Sequence, residues 1–280
     1  MNLTWTQTQR IRLLELDADE MTLARTFPDA DTRNRAFQAW TSARIDAHRR
    51  QLEALRVGPR RPRLCRLESL LVERLVDEGF VQIATPMLMS KGLLAKMSLT
   101  EDHPLFRQVF WVSPDRCLRP MLAPHLYFVV KDLLRLWKKP VRIFEVGTCF
   151  RKETEGARHA AEFTMLNLCE FGMAEEDRTR RLEELAALVM ACAGIDNYAL
   201  IAETSAVYGS TMDVVNQEDG LELGSAAMGP HLLDRSWRIT DTWVGIGFGL
   251  ERLLMAAEGA GNLARFGRSI AYLDGIRLNI

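Results

Sequence analysis

Three glycines and an arginine late in the chain have types and spacing that suit nucleotide binding. Gly245, Gly247 and Gly249 alternate in the run GIGFGLERLLM, so a strand there would lack side chains along one face and would let a flat base approach its backbone. Arg252 follows where this strand should give way to a helix, and its planar guanidinium can stack on such a base. The sequence has neither G-x-x-x-x-G-K-[ST] nor G-x-G-x-x-G, the two common phosphate-binding motifs. Alternating glycines also relieve crowding at a packed strand, so the spacing alone leaves that alternative open.

A charged hairpin is predicted over residues 143–172, where two apolar-rich runs flank a polar connection. Alternation predicts that one face of the first strand carries an arginine and two acids, with Glu145, Cys149, Arg151 and Glu153. In the returning strand one face is formed by Phe163, Met165, Asn167 and Cys169. Asn167 is the lone amide in that stripe. Both faces of this returning strand are largely apolar, which is typical of a strand buried on both sides.

These residues carry a resemblance to a known family. FRKE followed by a polar loop and by H-x-x-E-F, which ends at Phe163, resembles motif 2 of the class II aminoacyl-tRNA synthetases. GIGFGLERLLM resembles motif 3, and GFVQIATPML at residues 79–88 resembles motif 1, so the motifs stand in the family's order. The runs RPMLAP, EFTMLN and GFGLERLL, with VYG at Tyr208, are most similar to the pyrrolysyl-tRNA synthetases, in the form without a separate N-terminal tRNA-binding domain. The resemblance covers roughly residues 64–280, and the first sixty residues share it only loosely.

The resemblance implies the fold. The expected class is α+β, with an antiparallel sheet flanked by helices and a helical N-terminal extension. Residues 1–60 are expected to form that extension and a basic linker, and residues 61–280 the catalytic domain. The length of 280 residues is at the upper size for one continuous core.

Composition bounds the partners and the compartment. The net charge of −1 and the pI near 6.5 provide no general basic field, so an RNA site would have to be a local patch. The five cysteines include no C-x-x-C and no histidine at ligand spacing, which argues against structural zinc and for a reducing compartment. No signal-like segment and no apolar run of about 18 residues is found, which predicts a cytoplasmic protein with no membrane partner.

The basic patch is expected between two regions of different character. Residues 1–55 have helical spacing, with a first helix near Ile11 and a second from Asp31 toward Leu55. Residues 56–66 hold five arginines, two prolines and no acid, which predicts an extended linker. This stretch is either a solvated linker or a phosphate-contacting patch, and in the second case tRNA would bind to Arg60, Arg61 and Arg63.

A helix at residues 67–78, ended by Gly79, and a strand at residues 80–85 are predicted next. In class II synthetases these elements form the dimer interface, so the resemblance implies a homodimer. An ordinary helix packed on a sheet has the same pattern.

The resemblance also implies a deep amino-acid pocket. Its expected residues are Ala123, Leu126, Tyr127, Val130, Met165, Asn167, Cys169, Tyr208, Trp243 and Gly245. Tyr208 would close the pocket and donate a hydrogen bond, and Asn167 would read an acylated ε-nitrogen of lysine. Core packing explains the apolar members equally well, and Asn167 has an alternative role as a partner of neighbouring backbone.

The ATP site is implied in the same way. Arg151 and Arg252 are expected to be catalytic, and ATP would contact Arg151, Glu153, His159, Phe163, Glu222, Ser225, Gly249 and Arg252. Arg151 would hold the α-phosphate and the attacking carboxylate, Glu153 the adenine amino group, and His159 with Arg252 the outer phosphates. Mg²⁺ would be held by Glu222 and Ser225, whose oxygens suit a hard cation. Because residues three apart face opposite sides of a regular strand, this pair requires a bulge or a bridging water near Gly224.

The expected function is ATP-dependent activation of pyrrolysine, or of a similar Nε-acylated lysine, and its ligation to the cognate tRNA. The alternatives are a class II synthetase or paralogue for another bulky amino acid, and a catalytically silent RNA-binding or regulatory module of the same fold.

Overall fold

The computed structural model describes residues 2–152, 159–205 and 207–280, whose contacts group into two compact units. One unit comprises Met1–Pro62 with Ser269–Ile280, and the other comprises Arg63–Arg268. The predicted boundary at residue 60 lies close to this division, but residues 269–280 group with the N-terminal residues instead of with the predicted catalytic domain. The assignment of domains stays a prediction.

The helices begin where side chains can satisfy their first backbone N–H groups. In chain order they are α1 (Gln7–Glu15), α2 (Glu20–Leu23), α3 (Ala30–Val57), α4 (Arg63–Asp77), α5 (Lys91–Lys96), α6 (Pro104–Arg107), α7 (Ala123–Leu136), α8 (Arg178–Ala193) and α9 (Leu250–Ala257). Before α1, the Thr6 hydroxyl accepts the backbone N–H of Gln9 at 3.2 Å. Before α3, the Asp29 carboxylate accepts that of Thr32 at 2.7 Å.

The strands form three sheets in the described residues. They are β1 (Val81–Gln82), β2 (Leu88–Ser90), β3 (Trp111–Ser113), β4 (Arg116–Leu118), β5 (Val141–Phe150), β6 (Glu162–Phe171), β7 (Tyr198–Ser205), β8 (Gly209–Asn216), β9 (Glu222–Gly229), β10 (Trp243–Gly249), β11 (Tyr272–Leu273) and β12 (Ile276–Arg277). The main sheet has the order β1-β5-β6-β10-β9-β8-β7 and is antiparallel except for β1, which runs parallel to β5. The small sheets have the orders β2-β4-β3 and β11-β12.

The main sheet is covered on both faces. One face packs its apolar side chains, such as Leu166, Leu168 and Phe248, against α4, α8 and α9. The other face contributes Ile143, Cys169 and Trp243 to a second cluster with α5 and α7. The expected alternation of β6 is therefore confirmed, and so is an α+β fold whose largely antiparallel main sheet is flanked by helices.

The predicted extended linker is wrong. Helix α3 continues through Arg56, whose guanidinium bonds the Glu53 carboxylate, and α4 begins at Arg63. Residues 58–62 are all that separates the two helices. Arginine is a good helix former, and a proline directly before a helix removes no bond that the helix needs, so the basic composition did not exclude helix.

Smaller differences concern strand lengths. The strand predicted at residues 80–85 is reduced to Val81–Gln82, although the backbone N–H of Ile83 still bonds the carbonyl of Phe144. The small sheet that contains Trp111–Ser113 was not anticipated. Gly79 has a φ of +87°, in agreement with its predicted place after the helix.

The bulge expected in the strand of Glu222 and Ser225 is present. In the pairing of β8 with β9, Val214 faces Gly224 while the next residue, Val215, faces Glu222. Leu223 is therefore the extra residue, and it brings Glu222 to the same side as Ser225.

Candidate active site

A cavity of about 280 Å³ within residues 63–268 brings together most of the predicted site residues. Its apolar end is lined by Ala123, Leu126, Tyr127, Met165, Asn167, Cys169, Tyr208, Trp243 and Gly245. Its polar end is lined by Arg151, His159, Phe163, Glu222, Ser225, Gly249 and Arg252. Two predicted residues are not among them. Val130, in α7, is fully buried in the apolar cluster of the core, and Glu153 lies outside the described residues.

The strand register explains how one face of the sheet presents this cavity. Neighbouring strands place Asn167 opposite Gly247, and Gly247 opposite Ser225. In-register neighbours point to the same face, so the amide, the bare glycine and the hydroxyl form one row. A β-carbon at Gly247 would lie 3.4 Å from Met165 Cε and 3.8 Å from Asn167 Nδ2, which is contact distance on the cavity side. The alternating glycines therefore do keep this face open.

Aromatic rings form the floor of the apolar end. Trp243 stacks on Phe171 with centroids 5.7 Å apart and meets Tyr127 edge-on at 5.8 Å. Tyr127 in turn stacks on Trp237 at 5.4 Å. Gly229 lies beside Trp243 in the sheet, and any β-carbon there would collide with the indole. The indole position is therefore fixed by backbone as well as by side chains.

A buried carboxylate ties this floor together. Asp234 is 1% exposed, and its Oδ1 accepts the Tyr127 hydroxyl at 3.1 Å. Its Oδ2 accepts the Trp243 indole N–H at 2.8 Å and the His231 backbone N–H at 2.7 Å. Burial, and then Tyr208 and Asp234, raise the pKa of Tyr127, so the phenol keeps its proton and donates it. Sequence reasoning missed Asp234 because Tyr127, whose hydroxyl it binds, lies 107 positions away in the chain.

Asn167 and Tyr208 occupy the rest of this end. Asn167 is half-buried, and its side-chain amide makes no hydrogen bond within the described part of the chain. Its expected alternative, a bond to neighbouring backbone, is therefore not observed there. Tyr208 lies just before β8 with its ring 6.3 Å from that of Trp243 and 6.0 Å from that of His231. Its role as a closing residue stays a prediction.

At the polar end, Arg151 is held in place before any ligand is considered. Its Nε donates to the carbonyl of Pro120 at 2.9 Å, and its guanidinium lies over the Phe163 ring at 5.2 Å. Its backbone N–H bonds the carbonyl of Ala161 at 3.0 Å, so hairpin pairing continues past the end of β5. Glu145 was expected on the same surface, but its carboxylate is buried against Arg119.

Charged groups pair across the far side of the polar end. Arg252 Nη1 lies 3.2 Å from the carbonyl oxygen of Glu222 and 3.3 Å from its carboxylate. Asp213, directly opposite Ser225 in β8, shares a hydrogen bond with it. The pKa of Asp213 is raised chiefly by desolvation, and also by Glu222 and Glu203. Asp213 is a further acid at this edge that the sequence did not indicate.

Two buried groups support the site from behind. Glu251, 1% exposed, accepts the backbone N–H of Thr164 with both oxygens at 2.9 Å, and burial raises its pKa. The bond joins the start of helix α9, which carries Arg252, to β6 between Phe163 and Met165. Glu251 stands in the motif GLER, but nothing in the local sequence distinguishes a buried glutamate from an exposed one.

The second buried group is an ion pair. Arg119 Nη1 lies 2.6 Å from the Glu145 carboxylate, and each side chain is 3% exposed. Glu145 also accepts the hydroxyl of Thr85 at 2.7 Å, while Arg119 Nε donates to the carbonyl of Thr148 at 2.8 Å. A β-carbon at Gly147 would collide with the Arg119 guanidinium, so the glycine makes room for it. The pair anchors the segment before α7 to β5.

Two arginines of the predicted RNA patch are exposed, and the third forms an ion pair. Arg60 and Arg61 are exposed between α3 and α4. Arg63, in α4, forms an ion pair with Glu258 at 2.8 Å and lies over the Phe266 ring at 5.0 Å. Binding of tRNA to these three arginines stays a prediction.

Comparison with known proteins places this cavity in a family. Residues 66–273 match the family model for the tRNA synthetases class II core domain (F). The crystal structure of pyrrolysyl-tRNA synthetase from Desulfitobacterium hafniense superposes with a TM-score of 0.91 at 52% sequence identity, over 99% of both chains. A second structure of that organism's enzyme gives 0.89 at 51% identity, over 99% of this chain and 96% of that one. The chain belongs to the pyrrolysyl-tRNA synthetase family of class II synthetases. The family assignment confirms the resemblance of the three motifs.

Curated relatives of this synthetase match over shorter stretches. The lysine–tRNA ligase of Chromobacterium violaceum is 33% identical over 124 residues, which is 42% of this chain and 21% of that protein. The mitochondrial lysine–tRNA ligase of Saccharomyces cerevisiae is 29% identical over 122 residues, 43% of this chain and 19% of that protein. This synthetase spans about a fifth of the length of these relatives.

Two features are absent from the described residues. No helix among residues 2–152, 159–205 and 207–280 is long and apolar enough to cross a membrane. Within the same ranges, no three His, Cys, Asp or Glu side chains cluster as a metal site.

Proposed function

We propose that the protein activates pyrrolysine, or a similar Nε-acylated lysine, with ATP and ligates it to the cognate tRNA. Two observations together support this proposal: the family to which the chain belongs and the lining of its cavity. Two solved structures that match over nearly the full length are those of a pyrrolysyl-tRNA synthetase. The cavity has a polar end with two arginines and an apolar end with a single amide, as the two substrates require.

The first step is the attack of the amino-acid carboxylate oxygen on the α-phosphorus of ATP. The bond to the β-phosphate breaks, and pyrophosphate leaves. The 3′-terminal hydroxyl of tRNA then attacks the carbonyl carbon of the aminoacyl adenylate, and AMP leaves. Positioning and charge stabilisation carry this chemistry. Arg151, already oriented by Pro120 and Phe163, is placed to hold the α-phosphate against the incoming carboxylate.

The remaining nucleotide contacts follow from the same end of the cavity. The bare face at Gly247 and Gly249 accommodates the adenine, with Arg252 at its edge. Because Arg252 is paired with Glu222, a bound triphosphate would compete with that carboxylate for the guanidinium. His159 and Glu153 keep their predicted roles toward the outer phosphates and the adenine amino group.

The donor set fits Mg²⁺ as the accompanying ion. Glu222 and Ser225 offer oxygens on one side of β9 because of the bulge at Leu223, and few protein ligands suit an ion held mainly by phosphates and waters. When bound, Mg²⁺ would neutralise charge on the leaving pyrophosphate. Asp213 would orient the Ser225 hydroxyl.

The choice of amino acid rests on Asn167. Its amide offers both a donor and an acceptor in an otherwise apolar pocket, which matches the N–H and carbonyl of an acylated ε-nitrogen. Free lysine would lack the acyl group that this amide binds, and phenylalanine would leave the amide unsatisfied.

The tRNA and the second subunit belong to the same proposal. Arg60 and Arg61 are exposed and are proposed to contact phosphate, and Arg63 would have to leave Glu258 to do so. A homodimer is supported by apolar side chains on the motif 1 elements: Leu70 is 41%, Val76 50% and Val81 45% exposed. Cytoplasmic location is supported by the five cysteines, all of which are free thiols.

Exchange of labelled pyrophosphate into ATP tests the proposal. The protein is incubated with Mg²⁺, ATP and a panel that includes pyrrolysine, other Nε-acylated lysines, lysine and phenylalanine. Exchange that depends on acylated lysines supports the proposal. Exchange with phenylalanine alone favours a synthetase for another bulky amino acid, and no exchange with any member favours a silent module.

A further inference from the structure

The floor of the amino-acid pocket has a fixed hydrogen-bond direction, and Asp234 sets it. The Trp243 indole and the His231 backbone N–H both meet Asp234 Oδ2, and each of these groups can only donate. Oδ2 therefore accepts twice and carries no proton. Oδ1 accepts the third hydrogen bond, from Tyr127.

The Tyr127 hydroxyl consequently has its single proton committed away from the cavity. Elsewhere its oxygen can offer lone pairs only, and the Tyr208 hydroxyl lies within hydrogen-bond reach of them. Asp234 itself is 1% exposed, and the described residues give it no ion pair, so its negative charge adds to the acceptor character of the floor. A ligand group that donates N–H finds a partner at this floor, whereas a carboxylate meets lone pairs and a like charge.

We infer that Asp234 is a positioning residue that makes the pocket select for neutral, N–H-bearing distal groups and against anionic ones. It acts through Tyr127 and Trp243 and does not line the cavity. This inference deepens the proposed function and rests on it for the assignment of the cavity to an amino acid.

The substitution Asp234→Asn should reverse the direction. An asparagine has one oxygen and one NH₂ group, and the two obligate donors hold its oxygen in the place of Oδ2. The NH₂ group then faces Tyr127, whose oxygen accepts from it and whose proton turns toward the cavity. The floor changes from an acceptor to a donor without a change in volume.

Two lysine derivatives of equal shape read this change. Nε-succinamoyl-lysine ends in a neutral amide and Nε-succinyl-lysine ends in a carboxylate. Their binding is followed by tryptophan fluorescence, and their activation by kcat/KM in pyrophosphate exchange. We expect the parent to prefer the amide, and Asp234→Asn to shift the ratio toward the carboxylate by about tenfold or more, through KM and not through kcat.

Controls separate positioning from stability. Asp132→Asn makes the same replacement on the exposed side of α7 and should leave the ratio unchanged. In a Tyr127→Phe background, which lacks the hydroxyl, Asp234→Asn should shift the ratio much less. A purely structural role would lower both activities equally and lower the unfolding midpoint, and that outcome would overturn the inference.

The outcomes also separate this inference from the proposed function. If exchange is active but Asp234→Asn leaves the amide-to-carboxylate ratio unchanged, the inference alone is wrong. If no amino acid supports exchange but the binding preference still reverses in Asp234→Asn, the proposed function fails and the role of Asp234 stands. If neither derivative binds the parent, both fail.

Discussion

The two ends of the cavity are built by opposite means. At the apolar end, buried rings, backbone and the Asp234 carboxylate determine each other's positions. At the polar end, Arg252 is held by Glu222, one of the groups proposed to handle the nucleotide and its ion. The first end is therefore organised before binding, whereas the second must exchange internal ion pairs for contacts to phosphate. Preorganisation favours selectivity at the first end, and charge complementarity favours catalysis at the second.

The largest expected effect concerns the support of the organised end. Arg119→Met should lower the free energy of unfolding by about 3–5 kcal/mol, because Glu145 would remain buried without its cation. Urea unfolding measures this loss. Arg135→Met on the exposed side of α7 should change stability little. A loss below about 1 kcal/mol in the Arg119 variant would mean that the ion pair does not anchor the pocket helix.

The next effect breaks the polar end without touching the fold. Arg151→Ala should reduce pyrophosphate exchange at least about a hundredfold, equivalent to about 3 kcal/mol or more, because charge that develops at phosphorus loses its donor. The unfolding midpoint should stay close to that of the parent, and Arg135→Ala serves as the matched control. Exchange within a few-fold of the parent would contradict the assignment of Arg151.

The substitution Asn167→Ala tests the apolar end of the cavity. It should weaken use of Nε-acylated lysines by about 1–3 kcal/mol and admit phenylalanine-like substrates, because the amide is removed and the pocket enlarged. Relative kcat/KM for an acyl-lysine and an aromatic amino acid measures the change. An unchanged ratio would remove Asn167 from substrate recognition, even if both rates fell.

The smallest effect is expected outside the cavity. Replacing Arg60 and Arg61 by alanine should flatten the dependence of tRNA affinity on salt, with a change in slope of about one or less for each phosphate that is no longer neutralised. Filter binding over a range of salt concentrations measures the slope. Arg63→Ala should change it less, since Arg63 is occupied by Glu258. Equal slopes for the parent and the double variant would return residues 60 and 61 to a structural role.

Sequence reasoning reached the parts of this molecule that local pattern encodes. Alternation in β6 identified Asn167 and its neighbours. The separation of Glu222 from Ser225 by three positions predicted a bulge or a bridging water, and the structure contains a bulge. The alternating glycines indicated an open strand face. The three motifs gave the family and the fold.

The rest depended on contacts that no local pattern encodes. Asp234 and Tyr127 are 107 positions apart, and Arg119 and Glu145 meet only because the segment before α7 crosses β5. Val130 has the same helical spacing as the lining residues, but its side chain is fully buried and does not line the cavity. The prediction of an extended linker failed because it rested on the proline and arginine content of residues 56–66. Where a helix ends depends instead on whether its next turn can pack.

Strand β6 also sets a length scale for the substrates. Its cavity-facing residues Phe163, Met165, Asn167 and Cys169 follow one another at every second position, so each is displaced by roughly 7 Å from the last and the whole row covers roughly 20 Å. In the proposed function, a replacement at the Cys169 end would alter the space for the tip of the amino-acid side chain. A replacement at the Phe163 end would alter the contact with the nucleotide. Because the spacing belongs to the strand, redesign for longer or shorter amino acids can proceed one position at a time without moving the reacting atoms.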